Sequence, residues 1–267
     1  MVAVQSIIFN KYPVEQTLRT LRDMNVTEIE LWEGHLPRKL PIYYDLVKKV
    51  AKENGIEVIG LVWDGKGFNP YSVKSEDRSS TLDFIKNNIE VCHGIGMKFV
   101  TVAEGRPKPP LNDKAGESEA WENLVEAFQL ASDIAGEYEI TIVNEYHPGM
   151  LASTTEKAPK LVDDVDSKWF KACVDFCHAD VITGGKPMEF VRALGKRISH
   201  VHLGDGDGTP HMHLPLGFGR VDVKACIDEI KSTGYKGHWS LCIYGCPFPE
   251  YAVSKSMEWL QKNDFRL

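Results

Sequence analysis

The sequence contains no apolar run approaching the roughly eighteen residues that span a bilayer, and no basic start leading into a short apolar stretch. Neither a membrane helix nor a signal peptide is therefore expected. Positive charge is also in deficit. The chain carries 31 Lys and Arg against 38 Asp and Glu, a formal net charge of −7, whereas phosphate backbones are bound by clustered cations. The densest basic cluster, Lys48–Lys52, falls on an amphipathic helical pattern and reads as a solvated face. Six cysteines in 267 residues are too few for a disulfide scaffold, and none has CxxC spacing, so reduced thiols and a cytoplasmic location are expected. No GxGxxG or GxxxxGK[ST] pattern follows an early strand, and no linker or low-complexity stretch divides the chain.

What is present is a regular alternation of short β-like runs and helical stretches at a spacing of roughly thirty residues, the length of one βα unit. The strand candidates are Val2–Phe9, Glu28–Trp32, Ile56–Trp63, Met97–Ala103, Glu139–Asn144, a run within Trp169–Phe176, Ile198–Leu203 and His238–Tyr244. Helical patterns cover Val14–Met24, Tyr43–Asn54, a segment after Ser79 running to about His93, a long segment ending near Gly136, Lys157–Val162, Pro187–Leu194, Val221–Ser232 and Pro249–Leu260. Eight such units predict an α/β fold, a single (β/α)8 TIM barrel over residues 1–267. A doubly wound open sheet is the competing architecture, but it normally carries a Gly-rich phosphate turn.

In a barrel of this kind the functional groups stand at the C-terminal ends of the strands. Those ends carry Trp32-Glu33-Gly34-His35, Trp63-Asp64, Glu104-Gly105-Arg106, Glu145-Tyr146-His147, Asp175 with His178, His202 with Asp205, and Cys242-Ile243-Tyr244. Polar groups buried there without partners would each cost about 2–7 kcal/mol, so their recurrence suggests a site facing a solvent-filled mouth. The densest stretch, Arg197–Gly219, holds four of the nine histidines: His200, His202, His211 and His213. Taken singly, Glu145, Asp175 and His202 would read as structural hydrogen-bonding groups. Together they form a mixed O/N donor set suited to Mn²⁺ first, then Mg²⁺ or Co²⁺, with Zn²⁺ also compatible.

Glu145-Tyr146-His147 after ITIVN, Asp175-x-x-His178, His200-Val201-His202-Leu203-Gly204-Asp205 and the later Leu216-Gly217-x-Gly219-x-x-Asp222 resemble successive motifs of the xylose-isomerase-like TIM-barrel superfamily. That superfamily includes sugar-phosphate isomerases and epimerases, ketose 3-epimerases, inosose dehydratases and endonuclease IV. The resemblance implies a divalent metal on Glu145, Asp175 and His202, and a substrate-binding role for His178. It implies a fourth ligand, a Glu that also serves as acid/base, on the last strand. Here Gly237-His238-Trp239-Ser240-Leu241-Cys242 places Cys242 there instead. The implied reaction is α-proton abstraction from a ketose, polyol-derived ketone or sugar acid through a metal-stabilised enediolate, giving an isomerase or epimerase. Glu145 is a catalytic candidate on this basis, with His178 and Cys242.

Cys242 has three readings: a thiolate ligand or acid/base, an inert packed residue, or the mark of a barrel with impaired catalysis that binds a sugar. A dehydratase or lyase acting on a keto-sugar or C-glycoside is the alternative chemistry. His213 is a candidate substrate donor or further ligand, His211 and His200 are weaker ones, and Asp205 suits fixing a His or a loop N–H. Trp32 and Trp63 suit a pocket wall, Glu104 and Arg106 a substrate contact, and Trp239 the core. The expected partner is a small sugar-like molecule, without nucleic acid or membrane. Homo-oligomers are common in the superfamily, but no surface in the sequence identifies one here.

Overall fold

Period-two alternation puts successive side chains on opposite faces of a strand, and in a closed sheet those faces become the barrel interior and the helix-covered exterior. In the computed structural model, which describes residues 2–36, 39–63, 69–72, 74–105 and 114–265, eight parallel strands close in sequence order. They are β1 (Val2–Gln5), β2 (Glu28–Trp32), β3 (Glu57–Val62), β4 (Phe99–Val102), β5 (Thr141–Glu145), β6 (Phe170–Asp175), β7 (Ile198–Leu203) and β8 (His238–Leu241). The ring closes where Val2, Ala3 and Val4 of β1 pair with Trp239, Ser240 and Leu241 of β8. Among the described residues the helices are α1 (Val14–Asp23), α2 (Pro41–Glu53), α3 (Ser75–Ile95), α4 (Lys114–Glu137), α5 (Lys157–Val165), α6 (Phe176–Ile182), α7 (Pro187–Leu194), α8 (Val223–Ser232) and α9 (Pro249–Lys262). The fold is an α/β TIM barrel, as the alternation predicts. No described helix is long and apolar enough to cross a membrane.

Helix ends follow local chemistry. Pro41, Pro187 and Pro249 sit in the first turns of α2, α7 and α9, where a missing N–H removes no helical bond. Helix α3 stops at Gly96, whose φ of 93° is the left-handed cap conformation that glycine adopts without strain.

The main core lies between strands and helices. Ile29 and Leu31 of β2, Val100 of β4, Val174 of β6 and Val201 of β7 meet Leu18, Leu21, Ile89, Phe128 and Phe190 there. A second, smaller apolar layer of Ala3, Ile59, Phe99, Val143 and Cys173 fills the barrel interior. Two residues further along four of these strands stand Gln5, Thr101, Glu145 and Asp175, so on those strands the parity that buries the plug aims the polar groups inward above it, whereas on β3 Leu61 joins the outer core.

The strands are shorter than the sequence runs at several ends. Ser6–Phe9, expected as the end of the first strand, is a turn of 3-10 helix, and the Ser6 hydroxyl accepts the Trp32 N–H at 2.8 Å. The eighth strand stops at Leu241 rather than Tyr244, and the fifth is displaced to Thr141–Glu145 because Glu139 turns at φ 55°. Helix α6 is absent from the expected elements. It begins directly on β6, with the Asp175 carboxylate accepting the His178 N–H at 2.9 Å as its N-cap.

Candidate active site

Most of the inward-facing polar side chains are paired with one another across the barrel. Glu30, in the middle of β2, is fully buried, and its Oε2 lies 3.2 Å from His200 Nε2 and 3.1 Å from His202 Nε2. Its Oε1 accepts the Thr101 hydroxyl at 2.5 Å. His202 stands between two carboxylates, since its Nδ1 is 2.6 Å from Glu145 Oε1. Glu145 Oε2 lies in turn 2.8 Å from His147 Nε2. Burial alone would raise the Glu30 and Glu145 carboxyls, but the facing histidines outweigh it and hold both well below the ordinary carboxylate range. Burial likewise opposes the His202 cation. The Cys173 sulfur and the two carboxylates outweigh it and hold this imidazole well above its usual range. His200 lacks that second carboxylate, and burial moves it down.

Asp175 completes the group at the end of β6. Its Oδ1 caps α6, while its Oδ2 is buried without a hydrogen-bond partner, 4.0 Å from His202 Nδ1 and 3.6 Å from His213 Nδ1. Ligand atoms of Asp175, His202 and Cys242 all lie within 4.8 Å of one another, and so do those of Asp175, His178 and His213. His178 is buried with its Nδ1 unpartnered. Burial, followed by the nearby His147 and His213, pushes its imidazole well below the usual range and keeps it neutral. A buried carboxylate oxygen and an imidazole nitrogen without partners, beside a thiol, form a donor set that fits a divalent cation.

His213 reaches this group through a loop that one aspartate organises. Asp205 is buried and accepts four backbone N–H groups: Gly206 at 2.8 Å and Val221 at 3.0 Å on Oδ1, Gly217 at 3.0 Å and Gly219 at 2.8 Å on Oδ2. Gly219 has no side chain because a Cβ there would lie 2.3 Å from Asp205 Oδ1. Short antiparallel bridges, Asp205 with Leu214 and His213 with Tyr244, then lay the loop against the end of β8. Asp205→Ala strands several buried donors at once, so a loss of about 2–3 kcal/mol is expected in urea unfolding. A variant with an unchanged denaturation midpoint would contradict this anchoring role.

The remaining candidates fall in different places. Glu104 is fully buried at the end of β4, where its Oε1 accepts the Ala152 N–H at 2.9 Å. Burial raises its carboxyl to about 7. Because the folded value lies above the unfolded one, the stability linked to the protonated form is present at acid pH and is lost as pH rises through about 7. Glu104→Gln removes that dependence. Its unfolding free energy relative to wild type is expected to rise by about 3 kcal/mol between pH 5 and pH 8, and a flat difference across that range would refute the assignment.

Trp63 is buried in the outer core and stacks on Phe84 at 4.3 Å. Trp32 is half-buried at the end of β2, edge-on to His35. His211 is exposed, with its ring 5.5 Å from that of His178. Arg106 lies outside the described residues, as does Asp64. A cavity of about 540 Å³ lies at the opposite, N-terminal end of the barrel, lined by Thr27, Glu28, Lys48 and Glu57 among others, and holds none of these donors.

Sequence reasoning did not single out Glu30, Gln5 or Thr101. The signal was present in EIELW, where a charge at an inward position of an otherwise apolar strand must be paired if it is buried.

A closed parallel barrel with buried carboxylates and imidazoles converging at the carboxyl ends of its strands defines the α/β-barrel enzymes. The chain belongs to the xylose isomerase-like TIM barrel family, which it matches over residues 18–263. It is 31% identical over 175 residues to an uncharacterised protein of Methanocaldococcus jannaschii, covering 63% of this chain and 58% of that one. It is 24% identical over 240 residues to fructoselysine 3-epimerase of Shigella flexneri, covering 85% and 84%. Against inosose dehydratase of Geobacillus thermodenitrificans it is 27% identical over 175 residues, covering 62% and 56%. Among solved structures, a D-tagatose 3-epimerase-like protein superposes with a TM-score of 0.84 at 24% identity over 99% of this chain and 98% of that one. IOLI protein with a bound zinc atom superposes at 0.81 and 18% identity over 98% of each.

Proposed function

We propose that this enzyme is a divalent-metal-dependent epimerase or isomerase that removes and returns the proton beside the carbonyl of a ketose, polyol-derived ketone or sugar acid. The observation that carries the reading is the gathering of Asp175, His202 and Cys242 ligand atoms within 4.8 Å of one another, with Asp175 Oδ2 buried and unpartnered and Glu145 Oε1 2.6 Å from His202 Nδ1. Glu145, Asp175 and His202 are the residues that would hold the ion. Once bound, a divalent ion supplies Lewis-acid polarisation of the carbonyl and neutralises charge developing on its oxygen. The zinc-bearing structural neighbour and the epimerase relatives support this class of chemistry.

The chain's own groups divide the remaining work. Glu145 is kept ionised by His202 and His147 and is the most accessible of the six buried carboxylates among the described residues, at 7% exposure against 2% for Asp175 and none for Glu30 or Glu104. It takes the proton. His178 is neutral and has a free Nδ1, so it hydrogen-bonds a substrate hydroxyl, with His213 beside it. Glu30 holds the His202 ring in place from within the barrel. A small sugar-like substrate suits this polar interior, the net charge of −7 offers nothing to nucleic acid, and the six unpaired cysteines fit a cytoplasmic setting.

A dehydratase reading is supported by one specific feature. Across from Glu145 the wall is Cys242, Gln5 and His213 rather than a second carboxylate. One base suffices to start an elimination, whereas inversion needs a proton donor on each face.

Metal analysis of the purified protein, followed by NMR of a ketose and inosose panel in D₂O, tests both readings. Deuterium entering beside the carbonyl with change of configuration establishes the epimerase. Loss of water establishes the dehydratase. Protein that binds no divalent ion under any condition overturns the reading.

A further inference from the structure

The wall opposite Glu145 contains a thiol in an unusual setting. Cys242 is 6% exposed at the end of β8, and its backbone N–H bonds Leu203 O at 2.8 Å, so the sulfur is placed by the barrel itself. Four residues surround it. His213 Nδ1 is 3.3 Å away, the near end of the Gln5 amide is 3.2 Å away, and Asp175 and His202 present ligand atoms within 4.8 Å of it. A cysteine that merely filled space would face apolar neighbours. This one faces a ring of polar atoms, one of which, Asp175 Oδ2, has no hydrogen-bond partner.

The Gln5 amide sharpens the picture. Its two ends lie 3.3 Å from His202 Nε2 and 3.2 Å from Cys242 Sγ. His202 Nε2 already faces Glu30 Oε2 at 3.1 Å and therefore carries its hydrogen there. An amide fits either way round, and its orientation follows from its partners. Here Gln5 Oε1 accepts the Cys242 S–H at 3.2 Å while Gln5 Nε2 lies toward His202, so the amide fixes the sulfur beside the His202 ring. His213 Nδ1 lies between Cys242 Sγ and Asp175 Oδ2, at 3.3 Å and 3.6 Å. Loss of the S–H proton here leaves a thiolate, the form in which cysteine is a metal ligand.

We propose that Cys242 is the fourth protein donor to the metal, as a thiolate completing an O/N/S set with Glu145, Asp175 and His202, and that this sulfur makes the site selective for Zn²⁺ or Co²⁺ over Mn²⁺ and Mg²⁺. The proposal rests on the reading that the other three residues hold a divalent ion. In the metal-free protein the Cys242 S–H donates to Gln5 Oε1, so the sulfur carries its proton until the ion arrives. On binding, the S–H proton leaves to solvent and the sulfur–metal bond takes its place, the usual exchange at cysteine sites. Thiolate favours zinc and its neighbours, whereas an all-oxygen and imidazole set suits manganese and magnesium equally well. Gln5 and His213 are then positioning residues that hold the sulfur in place.

The test uses the full-length chain stripped of metal and titrated with Co²⁺, Zn²⁺ and Mn²⁺ separately. Wild type with cobalt is expected to show a sulfur-to-cobalt charge-transfer band in the near ultraviolet. X-ray absorption of the zinc form is expected to show one sulfur at about 2.3 Å. Cys242→Ser should abolish the band and weaken zinc binding at least tenfold while changing manganese affinity less than threefold. Cys242→Asp retains a ligand oxygen and guards against a serine variant that fails to fold. It should bind cobalt, as seen in the visible d–d bands, without the charge-transfer band. Cobalt bound to wild type with no sulfur band, or zinc affinity unchanged in both variants, overturns the thiolate while leaving the metal reading standing. A wild-type protein that binds none of the three ions overturns both.

Discussion

Glu145→Gln is expected to lower the rate of solvent-deuterium exchange into substrate by about 10²–10⁴-fold, the range that a positioned general base contributes. Glu145 differs from the other buried carboxylates in being both ionised and reachable. Glu30 is sealed beneath the histidines, Glu104 is raised toward neutrality, and one oxygen of Asp175 is committed to the α6 cap. Glutamine retains the shape and one acceptor oxygen but cannot take a proton. Because Glu145 is also a proposed metal donor beside His202, the measurement is made at saturating metal with the bound ion quantified. A variant with full metal content and near wild-type exchange would assign the base to another group.

Glu30→Ala carries the largest expected loss of stability, about 3–5 kcal/mol in urea unfolding of the metal-free protein, because it strands a buried imidazolium. His202 would retain Glu145 and, at 4.0 Å, Asp175 as counter-charges but lose the carboxylate at its Nε2, His200 would lose its carboxylate, and the Thr101 hydroxyl would lose its acceptor. Glu30→Gln separates structure from function. Its side-chain oxygen still accepts one hydrogen bond, so the fold is retained, but the negative charge that orients and enriches the His202 ring is gone. Metal affinity is then expected to fall by about 10–100-fold, as for other partners that orient a ligating histidine. Unchanged metal affinity in Glu30→Gln would show that Glu30 serves the barrel interior alone.

The legible parts of the site were those at strand ends. Glu145, Asp175 and His202 each follow an apolar alternating run, so their height in the barrel could be read from the run itself. His147 and His178 came with them as near neighbours in sequence. Glu30 was hidden for the opposite reason: inside EIELW it looks like the solvent face of a strand, and only closure of the sheet turns that face inward. Helix α6 was missed because Asp175 acts as both site residue and cap, and the seven-residue helix it starts is too short to show a period.

The alternation of eight apolar runs with eight amphipathic stretches determined the barrel, because each strand and helix can bury its apolar side only against the next. The same alternation determined that polar residues would gather at one rim. Which of them meet was decided by tertiary structure alone. Glu104 and Asp175 both end strands of the barrel, yet one turns to the Ala152 N–H and the other to an unpartnered position beside His213. His213 reaches the rim only because Asp205 gathers four backbone donors and folds the loop back onto β8. The reason is geometric. Periodicity specifies which way a side chain points along its own strand, but the distance between side chains on different strands depends on the register, tilt and closure of the whole sheet.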